Sequence, residues 1–191
     1  KGVRLHVTGG TGFLGRELQR LCPGASSERV EVRDADAVHE LLRRLHPEVV
    51  VHTAYRQDGD GAREIVVDGS ANVAAAAQAV GARLIHLSTD VVFDGLLGRP
   101  YTEEDEPRPC TDYGRAKAEA ERRVLAAASR ALLVRTSLIV GGPGHEPSKH
   151  ELVARDPAAV FFDDEIRSPV QVTPTAGCSP RRPPTRGACR R

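Results

Sequence analysis

Short apolar runs and helix-spaced apolar positions take turns along the first 140 residues. Val3–Val7 is strand-like and runs into a glycine cluster, after which Leu14, Leu18 and Leu21 recur at helical spacing. Val30–Val32 is a brief second strand candidate. Val38, Leu41, Leu42 and Leu45 fall at i, i+3, i+4 and i+7, which predicts an amphipathic helix stopped by His46-Pro47. Val49–Val51 reads as a buried strand, Asn72–Val80 as an Ala-rich helix closed by Gly81, and Leu84–Leu87 as the next strand. Tyr113–Ala127 reads as a long helix and Ala131–Val140 as a strand. Strands that alternate with helices in this way make βαβ units, so the expected class is α/β: a doubly wound parallel sheet with helices on both faces. One place breaks the rhythm. Only the eight residues Cys22–Arg29 separate the first helix from Val30, so the second strand is expected to be abbreviated or missing.

Composition narrows the class without changing it. The chain has 191 residues, one domain's worth, and its 40% apolar and 28% charged residues exclude a disordered or collagen-like chain. No stretch approaches the ~20 apolar residues of a membrane span and no signal-peptide core opens the sequence, which predicts a cytoplasmic protein without a membrane partner. A net charge of +1 argues against a nucleic-acid partner recognised by bulk charge. Cys22, Cys110, Cys178 and Cys189 lie far apart with no CxxC pair and read as reduced thiols, neither a zinc site nor a disulfide framework. The first residue is Lys1, so an incomplete translated frame with a missing start is expected.

The near-neutral total conceals an asymmetry. Residues 1–172 hold 22 basic and 26 acidic residues, whereas residues 173–191 hold five Arg, four Pro and no acid. The division expected is therefore a folded domain over 1–172, and a basic tail over 173–191 that forms neither helix nor strand. A basic arm for nucleic acid or acidic membrane is one reading of that tail. A non-native end, from a frameshift or truncation, is the favoured one.

Candidate chemistry begins at the glycine cluster. Thr8-Gly9-Gly10-Thr11-Gly12-Phe13-Leu14-Gly15 contains GxxGxxG at Gly9, Gly12 and Gly15, and GxGxxG at Gly10, Gly12 and Gly15. It follows a predicted strand and opens a predicted helix, the context in which such a loop is a dinucleotide-binding, Rossmann-type signature. Absent β-carbons let the backbone approach a pyrophosphate, and the helix start offers open N–H groups. Further along, Tyr113-Gly114-Arg115-Ala116-Lys117 sets a phenol and an ammonium four apart on one helical face. Leu87-Ser88-Thr89-Asp90 closes a predicted parallel strand, on the edge where such sheets bind ligands. Lys117 is expected to lower the pKa of Tyr113, and Thr89 to hydrogen-bond a carbonyl oxygen undergoing reduction.

TGGTGFLG, STDVVFDG (Ser88–Gly95) and YGRAK together resemble the extended short-chain dehydrogenase/reductases, and within them most resemble the dTDP-4-dehydrorhamnose reductase family. The resemblance spans about Val3 to Val172, including RTSLIVG (Arg135–Gly141) and FFDDEIRSPV (Phe161–Val170). It implies a Thr-Tyr-Lys catalytic set at Thr89, Tyr113 and Lys117, with Asp90 beside the substrate and Leu138 near the sugar. It implies cofactor contacts from Gly9, Gly12, Phe13, Leu14 and Gly15, from Glu31 and Val32 against adenine, and from Ala54, Tyr55 and Arg56 after the third strand, with Tyr113 and Lys117 at the ribose. The departures are Val91 for the family's Tyr, Leu138 for its Trp, His52-Thr53 for Asn-Ala, Thr111 for Asn, and Asp68 for Asn. Those at Val91 and Leu138 weaken the claim to the family's own deoxysugar while leaving the reductase chemistry in place. The family also continues well past the PV segment into a substrate-binding part, whereas the match here is expected to stop near Val172.

The function so implied is an NADPH- or NADH-dependent reductase of a nucleotide-linked 4-keto sugar, with a homodimer left open. The alternatives are an NAD-dependent sugar-nucleotide epimerase or dehydratase, and a non-catalytic dinucleotide-binding module or inactive fragment. Glu31 and Asp34 lie 16 and 19 residues past Gly15, but neither clearly ends a full strand that would separate NAD from NADP. His145, Glu146, His150 and Glu151 have no helical metal spacing, so no metal is expected. The Glu103–Glu106 run is expected at the surface, Glu119 and Glu121 in helix-surface pairs with Arg115, Arg122 and Arg123, and His6 and His86 as satisfied core residues.

Overall fold

In a computed structural model, residues 2–57, 59–161 and 166–177 are described. Four parallel strands form the main sheet in the order β1 (Leu5–Thr8), β2 (Val49–His52), β3 (Arg83–Thr89), β4 (Leu132–Thr136). Between them run α1 (Phe13–Leu21), α2 (Ala35–Leu45), α3 (Ala62–Ala79) and α4 (Asp112–Ala127). A two-residue pair, β5 (Ile139–Val140) with β6 (Val170–Gln171), lies beside the sheet, with α5 (Lys149–Ala154) between them and α6 (Val172–Gly177) after them.

The strand period of two divides the core into two layers. Leu5, Val7, Val51 and Ile85 face one way and pack against Leu14 and Leu18 of α1 and Val172 and Ala176 of α6. Val50 and Leu84 face the other way, against Val38 and Leu42 of α2, Val73 and Ala77 of α3, and Val124 of α4. The doubly wound α/β class is therefore present.

Several expectations change in detail. The second strand does not lie at Val30–Val32; the position beside β1 is taken by a single bridge from Ser26 to His6, with Val7 N–H donating to Ser26 O and Ser26 N–H to Leu5 O. Val32 is buried instead beneath α3, its side chain against Gly69. The helix expected at Asn72 begins ten residues earlier, at Ala62. The strand expected over Ala131–Val140 breaks at Ser137-Leu138, which do not pair, and this break turns the chain across the end of the sheet. Folding also continues past Val172. Residues 172–177 are helical, and Ala176 joins the core beside α1, so the expectation of no helix fails at the start of the 173–191 tail. The rest of that tail, with Cys178 and Cys189, lies outside the described residues, as do Phe162–Glu165 of the FFDDEIRSPV segment.

Because the chain passes from β1 through α1 to Ser26 on one flank and then through α2 to β2 on the other, its direction reverses at β1. A parallel sheet opens a crevice at the carboxyl ends of its strands at such a reversal. No helix among the described residues is long and apolar enough to cross a membrane.

Candidate active site

A cleft of about 260 Å³ opens at that reversal. Its floor is the start of α1. Gly12 caps the helix with extended backbone and no side-chain hydrogen bond, so the first-turn N–H groups at Phe13, Leu14 and Gly15, which line the cleft, have no intrahelical acceptor. The glycines beneath are fixed by close packing. A β-carbon on Gly15 would sit 2.2 Å from Gly9 O, and one on Gly9, whose φ is +74°, would sit 2.7 Å from Ala54 N. Gly12 faces outward, with 3.2 Å to Gly9 O as its only near contact. A floor of bare backbone whose donors have no acceptor among the described residues fits a diphosphate.

The opposite wall is the end of β3 and the first turns of α4. Thr111 caps α4, accepting from Gly114 N–H at 3.0 Å. Gly114 lets that helix start lie against the turn after β3, since a β-carbon there would meet Val91 O at 2.3 Å. This close approach brings Tyr113, Lys117 and Thr89 into one cleft together with Tyr55 and Leu138. The Tyr113 ring lies 6.2 Å from that of Tyr55, tilted by 51°.

The electrostatics depart from expectation. Lys117 is buried, and its Nζ donates to Leu87 O at 2.5 Å. Burial pushes its pKa down to about 8, partly offset by Glu121. The Tyr113 phenol is held well above its ordinary range, chiefly by burial, then by Tyr55 and the Asp90 carboxylate, with only the Arg167 cation pulling it down. The expected lowering of Tyr113 by Lys117 is thus absent. The amine's bond goes to a main-chain carbonyl, and desolvation of the phenol outweighs the attraction of nearby charge.

Of the remaining expected residues, Gly9 and Ala54 press together behind the glycine turn. Glu31 is exposed and bound to Arg33 at 2.9 and 3.0 Å, while Arg56 reaches Asp60 O; neither lines this cleft. Asp90 is gripped by Arg167 through Nε to Oδ2 at 2.9 Å and Nη2 to Oδ1 at 2.7 Å.

Sequence reasoning assigned no role to Arg167, although the residue lies within a segment it had singled out. Glu121 was also misread. It is buried and pairs with Arg135 of β4 at 2.7 Å rather than with its own helix surface, and Arg135 stacks over Phe93. Glu119 does pair at the surface with Arg122 and Arg123, whereas Arg115 turns to Asp112. His86 is not satisfied: neither ring nitrogen has a partner among the described residues, and His6 has one only at Nδ1. His150 and Lys149, from the start of α5, line the cleft, and no group of His, Cys, Asp or Glu among the described residues could hold a metal ion.

Residues 3–179 match the family described as the RmlD substrate binding domain, seven residues beyond the stop expected near Val172. The chain is 36% identical to methionine adenosyltransferase 2 subunit beta of Pongo abelii over 72% of this chain and 47% of that protein. It is 35% identical to the dTDP-4-dehydrorhamnose reductase of Mycobacterium tuberculosis over 92% of this chain and 64% of that enzyme. Among solved structures, the dTDP-4-dehydrorhamnose reductase of Bacillus anthracis in complex with NADP superposes with a TM-score of 0.68 at 29% identity, covering 76% of this chain and 57% of that one. The chain thus spans between about half and two thirds of the length of these relatives. With the glycine turn, the β3 end and the Tyr-Lys helix all inside the matched span, the chain belongs to the RmlD substrate binding domain family.

Proposed function

We propose that this chain carries the dinucleotide half of an NADPH- or NADH-dependent reductase acting on a nucleotide-linked 4-keto sugar. The observation that carries the reading is a single cleft joining an uncapped helix start to Thr89, Tyr113 and Lys117. The first-turn N–H groups of α1 would hold the cofactor's diphosphate, and Lys117 and Tyr113 its nicotinamide ribose. Bound NAD(P)H supplies a hydride. The chain's own part is to hold the proton. A phenol kept above its ordinary pKa stays protonated through neutral pH, so Tyr113 Oη carries the proton that a carbonyl oxygen needs on reduction. Thr89 Oγ1 orients that oxygen, and Leu138 and Val91 shape the apolar side of the cleft.

Titration calorimetry with NADPH and with NADH tests the binding half. Tyr113→Phe tests the chemistry: turnover should fall by about 100-fold or more while cofactor affinity stays within about threefold. Unchanged turnover in that variant removes Tyr113 from its role.

A second reading is a dinucleotide-binding subunit without turnover. It is favoured by the likeness to the subunit beta of methionine adenosyltransferase 2. Stoichiometric consumption of NAD(P)H with a keto-sugar nucleotide separates the two.

A further inference from the structure

The reductase reading leaves the proton of Thr89 unaccounted for. Thr89 Oγ1 accepts from Val91 N–H at 3.4 Å and donates to Asp90 Oδ1 at 3.3 Å, both at the long limit of hydrogen bonding. A hydroxyl has one proton, so Thr89 cannot donate to Asp90 and to a carbonyl oxygen in the cleft at the same time. A bare carboxylate next to the hydroxyl would win that competition, because hydrogen bonds to charged acceptors are the stronger ones.

Arg167 changes the outcome. It reaches back from the segment before β6, 77 residues along the chain, with its side chain 19% exposed at the cleft wall. Its fork takes both oxygens of Asp90, at 2.9 and 2.7 Å, and the shorter bond falls on Oδ1, the atom that also receives Thr89. We propose that Arg167 is a positioning residue: by engaging both oxygens of Asp90 it weakens the long Thr89–Asp90 hydrogen bond, so that an acceptor oxygen in the cleft can compete for the Thr89 proton. It also cancels a negative charge that would oppose the charge building on that oxygen and on Tyr113 when the proton passes. The nature of the acceptor rests on the reductase reading, whereas the competition for the hydroxyl proton belongs to this chain alone.

The test follows the Thr89 hydroxyl proton by NMR in the full chain labelled at threonine. In the parent the proton exchanges rapidly with water. In Arg167→Met it turns to Asp90, moves downfield and exchanges at least about tenfold more slowly. Arg167→Lys, which keeps the charge but loses the fork, falls between the two. Asp90→Asn combined with Arg167→Met returns the proton to rapid exchange, and Arg167→Lys keeps the inference testable even if Arg167→Met folds poorly. A Thr89 proton that behaves alike in all four chains overturns the proposal, as does slow exchange in the parent. Calorimetry with NADPH and with NADH on the parent runs beside it. Binding of neither removes the reductase reading and leaves the hydroxyl result standing, while binding of either with an unresponsive hydroxyl removes this inference alone.

Discussion

At the scale of single residues, the cleft withholds water from Lys117 and Tyr113. Lys117 has a main-chain acceptor and the Glu121 carboxylate one helical turn on to steady it, and burial wins, leaving the amine poised at about 8. Below that pH it is an ammonium; above it the cation is gone, and any ribose or phosphate contact that uses it weakens. Carbon-13 NMR of labelled lysine reads this directly, since the chain has only Lys1, Lys117 and Lys149 to resolve. A Lys117 midpoint near 8 is expected, and one at the ordinary ~10.4 would mean that water reaches the amine. These groups were legible in the sequence because each belongs to a local pattern: Thr89 at a strand end, Tyr113 and Lys117 one helical turn apart. Arg167 was not, because its partner Asp90 is 77 residues away and a long-range ion pair leaves no period in the chain. The direction of the Tyr113 shift was not legible either, since spacing places an amine on the right face but says nothing of the carbonyl that takes its proton.

At the scale of elements, the glycine turn separates two kinds of glycine that a motif treats alike. Gly15 lies where α1 crosses the turn, and a methyl group there would press on Gly9 O and Gly10 Cα, backbone atoms that cannot swing aside. Gly15→Ala should therefore destabilise the fold by roughly 1–3 kcal/mol, lowering the melting temperature by several degrees. Gly12→Ala meets only Gly9 O at 3.2 Å and points its new methyl group into the cleft. Its melting temperature should stay much closer to the parent's while dinucleotide affinity falls. Equal losses of stability in the two variants would mean that both glycines serve packing alone. Sequence pattern located the elements themselves wherever one face is dry and the other wet. Helix α2 was found within three residues because Val38, Leu41 and Leu42 are buried on one side of it. The first half of α3 was missed because its mixed run Ala62–Ala71 hides Val66 and Val67 among polar residues that face neighbouring elements. The strand beside β1 was misplaced because a single bridge at Ser26 needs no apolar alternation to form.

At the scale of the whole molecule, the sheet carries a hidden cost in acid. His6, His52 and His86 lie on three neighbouring strands, all fully buried; His52 and His86 are direct register partners and stack with ring centres 5.4 Å apart, and His6 lies level with Val50. His52 is held by Thr8 at 2.6 Å and Ser70 at 3.0 Å, but burial and the Lys117 charge still depress it to about 3. Burial takes His6 down to about 4 and His86 well below its ordinary value, with Lys117 and His52 adding to the latter. In the unfolded chain each would take up a proton near ~6.5. The unfolded state therefore binds more protons as pH falls below that value, and stability drops by about 1.4 kcal/mol per pH unit for each histidine until the folded pKa is reached. The paired carboxylates Glu17 and Glu31, lowered to about 2, add their loss only below about pH 4.5, so between 6.5 and 4.5 the histidines govern. Denaturant melts across that window should show stability falling steeply with acid. His86→Leu removes the one buried imidazole among the described residues with neither nitrogen satisfied, at similar volume. It should leave stability at pH 7 equal or higher and reduce the acid slope by about a third. An unchanged slope would show that His86 accepts its proton without unfolding, and that the stacked pair is open to water after all.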